Sequence, residues 1–234
     1  MKVQVGTSGY NYPEWKGSFY PAGLAAAKML PYYAEHFSTV ELNVTFYRMP
    51  NARMIAAWAA ATPDTFTFVL KAPKRITHDA RLKDIDEPLR YFCDMARLLG
   101  PKLGPLLFQL PPNFKKNLDR LSGLLVQLPP GLSVAFEFRH ASWFAEDVYD
   151  CLRTKNAALC IADTEEGATP AVATSDLGYL RLRAVDYSDA ELRRWVEALH
   201  GLGVRWRETF VFFKHEESGT GPALARRFRE LLNS

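Results

Sequence analysis

Cysteine is scarce in this chain: three residues in 234, at positions 93, 151 and 160. The odd count and the absence of a Cys-x-x-Cys spacing argue against both a disulfide framework and a zinc knuckle. Reduced thiols, buried on apolar faces, are the reading that remains. Long apolar runs are also lacking, since nothing approaches the roughly 18 consecutive apolar residues that span a bilayer. The N-terminus carries no basic region followed by an apolar one and opens directly into strand-like sequence. The expectation is a soluble, cytoplasmic protein with no membrane partner. Excess charge of one sign is missing too. Lys and Arg total 29 against 26 Asp and Glu, and a net charge of +3 is too mild to mark a nucleic-acid binder by itself. No interior linker or low-complexity tract divides the chain, and its length suits one α/β domain over residues 1–234.

What is present is alternation. Short runs rich in branched and aromatic residues predict strands near 3–6, 39–42, 66–71, 105–109, 133–138, 157–162, 179–183 and 210–214. Between them apolar residues recur at helical spacing, as in Leu30, Tyr33, Ala34 and Phe37, or Leu89, Phe92, Cys93, Ala96 and Leu99. Strands alternating with helices imply parallel pairing through right-handed crossovers, and eight of them predict closure into a single (β/α)8 TIM-type barrel. One repeat is defective. Residues 164–178 hold Gly, Pro, Thr and Ala without periodicity, so the helix between the sixth and seventh strands is reduced or missing.

In such a barrel the chemistry sits where the strands end. Side chains alternate across a strand, and positions facing the helical ring must be apolar. Val40 and Leu42 then turn Glu41 and Asn43 inward; Phe68 and Leu70 turn Lys71 inward; Leu106 and Phe108 do the same for Gln109. Phe136 and Phe138 leave Glu137 and Arg139 facing the lumen, Cys160 and Ala162 leave Asp163, and Leu180 and Leu182 leave Arg181 and Arg183. The last strand is apolar on both faces, so either Lys214 or His215 points in.

At these residues the chain resembles the YecE-like family, domain of unknown function 72. The matching text is Gly6-Thr7-Ser8-Gly9-Tyr10, Tyr12-Pro13, Trp15-Lys16-Gly17, Phe19-Tyr20-Pro21, Glu41-Leu42-Asn43, Thr45-Phe46-Tyr47, Lys71, Ile76-Thr77-His78, Gln109-Leu110-Pro111-Pro112 and Glu137-Phe138-Arg139-His140 with Ser142-Trp143. The resemblance implies a TIM-type barrel with its site at these motifs, and no particular reaction. It weakens toward the end: where family members carry Arg-x-His-Gly and Phe-Asn-Asn, this chain reads Arg181-Leu182-Arg183-Ala184 and Phe213-Lys214-His215-Glu216.

The inward charges are Glu41, Glu137 and Asp163 against Lys71, Arg139, Arg181 and Arg183, a balance that suits an anion better than a cation. The leading expectation is an enzyme or binder for a small phosphate- or carboxylate-bearing molecule, working by acid/base chemistry with no metal or cofactor. Glu41 and Glu137 are the candidate acid/base pair. Asn43, Tyr47, Lys71, His78, Gln109, Arg139, Asp163, Arg181, Arg183 and His215 are the candidate substrate contacts. One alternative is a metal-dependent phosphodiesterase-like hydrolase acting on nucleic acid, with a divalent ion on Glu41, Glu137, Asp163 and His215. Another is a non-catalytic barrel that binds a ligand or protein, with the carboxylates serving a salt-bridge lattice. Trp15, Tyr10, Tyr47 and Trp143 either roof a pocket or pack. Ser218-Gly219-Thr220-Gly221-Pro222 is either an anion cradle or a loop capped by Thr220, Gly6-Thr7-Ser8-Gly9 reads as a plain turn, and Pro111-Pro112 as a rigid one with a cis bond as an option.

Overall fold

Each branched and aromatic run forms a strand where alternation placed one. The computed structural model describes residues 1–164, 167–184, 186–202, 205–215 and 219–234. Its strands are β1 (Lys2–Ser8), β2 (Thr39–Leu42), β3 (Thr67–Lys71), β4 (Leu103–Gln109), β5 (Val134–Glu137), β6 (Ala158–Thr164), β7 (Gly167–Ala168), β8 (Leu177–Leu182) and β9 (Glu208–Phe213). All but β7 pair in parallel around a ring, β1 beside β2 and so on through β6, then β8 and β9, and β9 returns to β1. This is a closed eight-stranded TIM-type barrel. The two-residue β7 lies outside the ring, antiparallel to the end of β6. Among the described residues between β6 and β8 there is no helix, as the aperiodic sequence there requires.

The helices are α1 (Met29–His36), α2 (Val44–Tyr47), α3 (Ala52–Ala60), α4 (Asp86–Arg97), α5 (Leu118–Gln127), α6 (Glu146–Arg153), α7 (Asp189–Leu202) and α8 (Thr220–Leu232). Asn51 and Asn117 start α3 and α5 by accepting from Met54 N and Arg120 N, both at 3.0 Å, which satisfies an amide the helix cannot. Among the described residues no helix is long and apolar enough to cross a membrane.

Two apolar regions hold the barrel. The larger joins the helical faces to outward strand residues such as Val40, Leu42, Phe68, Leu70, Phe108, Phe136, Leu180 and Leu182. Full burial of each such side chain stabilises by about 1.5–3 kcal/mol. The smaller draws on strands alone: Val69, Leu107, Ala135, Ala158, Cys160, Leu177, Tyr179, Phe210 and Phe212. It fills the lumen and forms the floor beneath the polar strand ends.

That inner cluster corrects one parity assignment and settles another. Cys160 faces the lumen, so Asp163 faces the helices. An alternation of small and apolar residues in β6 satisfies either face, which is why the sequence pattern misled. In β9, Phe210 and Phe212 point in while Val211 and Phe213 point out, which puts position 214 on the inward side.

Three loop expectations also change. Gly6, Thr7 and Ser8 belong to β1, and only Gly9, at φ 94°, turns the chain. Thr220 is the first residue of α8 and not its cap; Gly219 precedes it at φ 75°, where a Cβ would lie 2.3 Å from Ser18 Oγ. Ser218 and Glu216 lie outside the described residues. Among the described residues no peptide bond is cis, so Pro111-Pro112 is trans.

Candidate functional site

Six strands end in side chains that meet above the apolar lumen. Arg181, near the end of β8, lies at the centre with 1% of its side chain exposed. Its Nη2 donates to Glu41 Oε1 at 2.8 Å, and its Nη1 bonds Glu137 Oε2. Glu41 also accepts from Ser8 Oγ at 2.7 Å and from the Tyr179 hydroxyl at 2.5 Å. Glu137 accepts further from Arg139 Nε at 3.0 Å and Arg183 Nη1 at 3.4 Å. Gln109 Oε1 accepts from Arg139 Nη2 at 3.3 Å and Arg181 Nη1 at 3.4 Å. Each of the two buried carboxylates thus accepts three hydrogen bonds from guanidinium and hydroxyl donors, while Arg181 Nε and Arg183 Nε are buried with no partner among the described residues.

The electrostatics follow. Burial alone would raise the Glu137 carboxyl, but Arg181, Arg139 and Arg183 outweigh it and hold it down to about 2. Burial disfavours the Arg181 charge, but Glu137 and Glu41 overcome that and raise its pKa. Three guanidinium groups against two carboxylates leave one positive charge in excess. Arg139 and Arg183 keep 31% and 19% of their side chains exposed, so part of their fork of donors faces outward. They border a cavity of about 790 Å³ whose walls include Pro112, Glu137, Arg139, Phe144, Thr169 and Arg183.

Lys71 completes the ring at the end of β3. It is 9% exposed, and its Nζ sits 4.2 Å from the centroid of Phe46. Burial lowers its pKa, Arg181 adds repulsion, and Glu137 and Glu41 only partly offset them, leaving it at about 7. His78 meets the other side of this corner, its ring edge-on to Phe46 with centroids 4.8 Å apart and Nδ1 2.9 Å from Thr77 Oγ1. Burial, then Lys71 and Arg139, push the His78 pKa down.

The structure therefore brings together Glu41, Lys71, His78, Gln109, Glu137, Arg139, Arg181 and Arg183. Asn43 follows β2, with its Oδ1 buried and unpartnered among the described residues. Tyr47 is 76% exposed and touches the group only through its edge-to-face contact with Phe46. Asp163 and His215 are not in the cup. Asp163 Oδ2 accepts from the Tyr187 hydroxyl at 2.8 Å and Trp195 Nε1 at 3.3 Å, on the α7 side of the wall. His215 Nε2 lies 2.5 Å from Ala184 O, near the same tyrosine. The four side chains expected to share a divalent ion are consequently split between two places. Among the described residues no three His, Cys, Asp or Glu side chains converge on a common point.

Trp15 and Trp143 have no exposed surface and pack. Trp143 stacks on Phe138 at 4.6 Å and donates to Phe114 O at 2.7 Å, so neither ring roofs the cup. His140 braces its own loop through Ser142. Sequence reasoning missed Ser8, Tyr179 and Phe46. The parity of Val3 and Val5 places Ser8 inward, and that of Leu180 and Leu182 places Tyr179 inward, so both were within reach. The place of Phe46 depends on the turn of α2, which no periodicity announces.

A closed parallel barrel with a buried Glu–Arg–Glu bridge beneath a basic cup defines the class: a TIM-type barrel protein with its polar constellation at the C-terminal strand ends. The chain belongs to the DUF72 family, matching the description "Protein of unknown function DUF72" over residues 4–234. It is 31% identical over 145 residues to the UPF0759 protein YecE of Escherichia coli K12, an alignment covering 62% of this chain and 51% of that protein's length. It is 28% identical to the UPF0759 protein YunF of Bacillus subtilis, across 99% of this chain and 95% of that one. In three dimensions it resembles the crystal structure of a DUF72 family protein from Thermotoga maritima MSB8, with a TM-score of 0.88 and 30% identity over the full length of both chains. A DUF72 family protein from Enterococcus faecalis V583 has the same fold at a TM-score of 0.80 and 20% identity.

Proposed function

We propose that this protein is an enzyme acting on a small anionic molecule, bearing carboxylate or phosphate, in the cup at the C-terminal face of the barrel. The observation that carries this reading is the pair Arg139 and Arg183. Both are anchored through Glu137, both are partly exposed, and both border the 790 Å³ cavity. Planar guanidinium forks match carboxylate and phosphate oxygens, and anchoring them in advance reduces the entropy lost on binding.

Glu41 and Glu137 act in this reading as the frame that fixes the guanidinium array. The acid/base work falls to Lys71 and His78, whose pKa values are both lowered. Two of the three thiols are buried and all three are free, which suits work in the reducing cytoplasm.

Thermal denaturation with phosphate, sulfate, Mg²⁺, Mn²⁺ and Zn²⁺ tests the proposal. A ligand at about a hundred times its Kd stabilises the folded state by ~2.7 kcal/mol. The anions are expected to raise Tm in the wild type and to lose most of that effect in Arg183→Ala. Stabilisation by a metal alone would favour a metal-dependent hydrolase, and no response to any anion would overturn the proposal.

A further inference from the structure

Among the described residues two lysines are buried, and they differ in how their charge is met. Lys102 is 7% exposed, and its Nζ donates to Ala59 O at 2.7 Å and Thr62 O at 2.8 Å, with Asp64 at 3.5 Å. This is how a lysine is ordinarily tolerated inside a protein, with its charge paired and its donors used. Lys71 is buried to the same degree, yet among the described residues its Nζ has neither a hydrogen bond nor an ion pair. The carboxylates that could pair with it are already occupied: Glu41 by Ser8, Tyr179 and Arg181, and Glu137 by three arginines. What faces the amine is the Phe46 ring, and burial with repulsion from Arg181 and Arg139 outweighs the attraction of Glu137 and Glu41 for its charge. A desolvated amine next to guanidinium groups is the environment that converts lysine from a cation into a nucleophile.

We infer that Lys71 Nζ is the nucleophile of this site and forms an imine with a small anionic aldehyde or ketone. The inference rests on the anion-site reading above, with Arg139, two strands round the ring from Lys71, and Arg183, four strands round, holding the anionic end of the substrate across the cup from the amine. The Nζ lone pair adds to the carbonyl carbon, and the carbon–oxygen π pair moves to oxygen. The proton lost from nitrogen goes to that oxygen, giving a carbinolamine. Protonation of the hydroxyl and departure of water leave the iminium ion, which returns a proton from nitrogen to give the imine, so amine and carbonyl yield imine and one water. His78 packs on the same Phe46 ring and serves as the neutral base that relays the proton. Burial, with repulsion from Arg181 fixed between Glu41 and Glu137, leaves a large share of the amine uncharged near neutral pH, and Arg181 is a positioning residue.

The test is borohydride trapping on the full chain at pH 7.5, with glyoxylate as the anionic carbonyl and acetaldehyde as its uncharged counterpart, followed by peptide mass mapping. Hydride adds to the imine carbon and makes the adduct permanent. Glyoxylate is expected to modify Lys71 on the order of tenfold faster than any other lysine, because ordinary lysines are almost wholly protonated at that pH. Arg183→Ala is expected to slow trapping by glyoxylate several-fold more than it slows trapping by acetaldehyde. Labelling spread evenly over the surface lysines, or absent from Lys71, overturns the inference even if phosphate still raises Tm. If phosphate has no effect on Tm while Lys71 is still trapped by both aldehydes equally, the anion site is wrong and the nucleophile stands. The mapping is done on the wild type, so the result does not depend on a Lys71 variant folding.

Discussion

Arg181 and Glu41 stand 140 positions apart in the chain and meet at 2.8 Å inside the barrel, with 1% and 0% of their side chains exposed. The same guanidinium holds Glu137 with its other nitrogen. A charge cluster this deep is not a net source of stability, since desolvation offsets most of the Coulombic gain. Removing one member is another matter, because the partners remain buried and ionised. Arg181→Ala is expected to cost about 3–5 kcal/mol in urea denaturation. A loss below 1 kcal/mol would mean the two carboxylates take up protons or rearrange, and that Arg181 does not organise the cup.

Glu137 is expected to contribute to the acid limit of the protein. Its folded carboxyl titrates at about 2, below the ordinary 4.5, so between those values the unfolded state binds the extra proton. The stability it contributes is full above about pH 4.5 and is lost as pH falls toward 2, on the order of 3 kcal/mol in all. Denaturation midpoints across pH 2–6 are expected to fall more steeply for the wild type than for Glu137→Gln. Parallel curves would show that other carboxylates govern acid unfolding.

The two buried lysines respond oppositely to replacement. Lys102→Met leaves Ala59 O and Thr62 O without their donor and is expected to lower stability by about 1–3 kcal/mol. Lys71→Met removes an amine with no hydrogen bond or ion pair among the described residues and is expected to leave Tm equal or raise it. The pH dependence has a definite sign: the folded Lys71 titrates near 7 and the unfolded one near 10.4, so the unfolded state binds more protons between them. Wild-type stability relative to Lys71→Met therefore rises as pH climbs from 7 to 10. A large loss in Lys71→Met at pH 7 would assign that residue a structural role.

Asp163 provides a control outside the cup. Asp163→Ala deletes the acceptor for Tyr187 and Trp195 and is expected to cost about 1–3 kcal/mol. The Tm increment produced by phosphate should stay as in the wild type. Loss of that increment would place Asp163 in the anion site after all.

The barrel was legible because its two periodicities are redundant. Eight strand runs and their helical faces each repeat the same instruction, and the one interrupted repeat, residues 164–178, is the one with no helix among its described residues. Inward residues could be read wherever bulky apolar side chains marked the outward face, as Val40 and Leu42 did for Glu41, or Leu180 and Leu182 for Arg181. Parity failed in β6, where Ala158, Cys160 and Ala162 are small enough for the lumen while Leu159 and Ile161 suit the helices. It also could not rank the inward residues. Glu137 and Lys71 read alike as inward polar residues, and only the arginines converging on Glu137 show that its carboxyl is held down while Lys71 has no ion pair among the described residues.

The sequence alone determined the closed α/β barrel and which ends of its strands are polar, because side-chain alternation and helical spacing are local properties of the chain. Only the tertiary structure decided how those polar ends pair. Ser8, Glu41, Glu137, Tyr179 and Arg181 come from four strands, and the network they form leaves Lys71 without a carboxylate ion pair among the described residues. The charge state of a buried group depends on what closes around it in space, and no spacing along the chain encodes that.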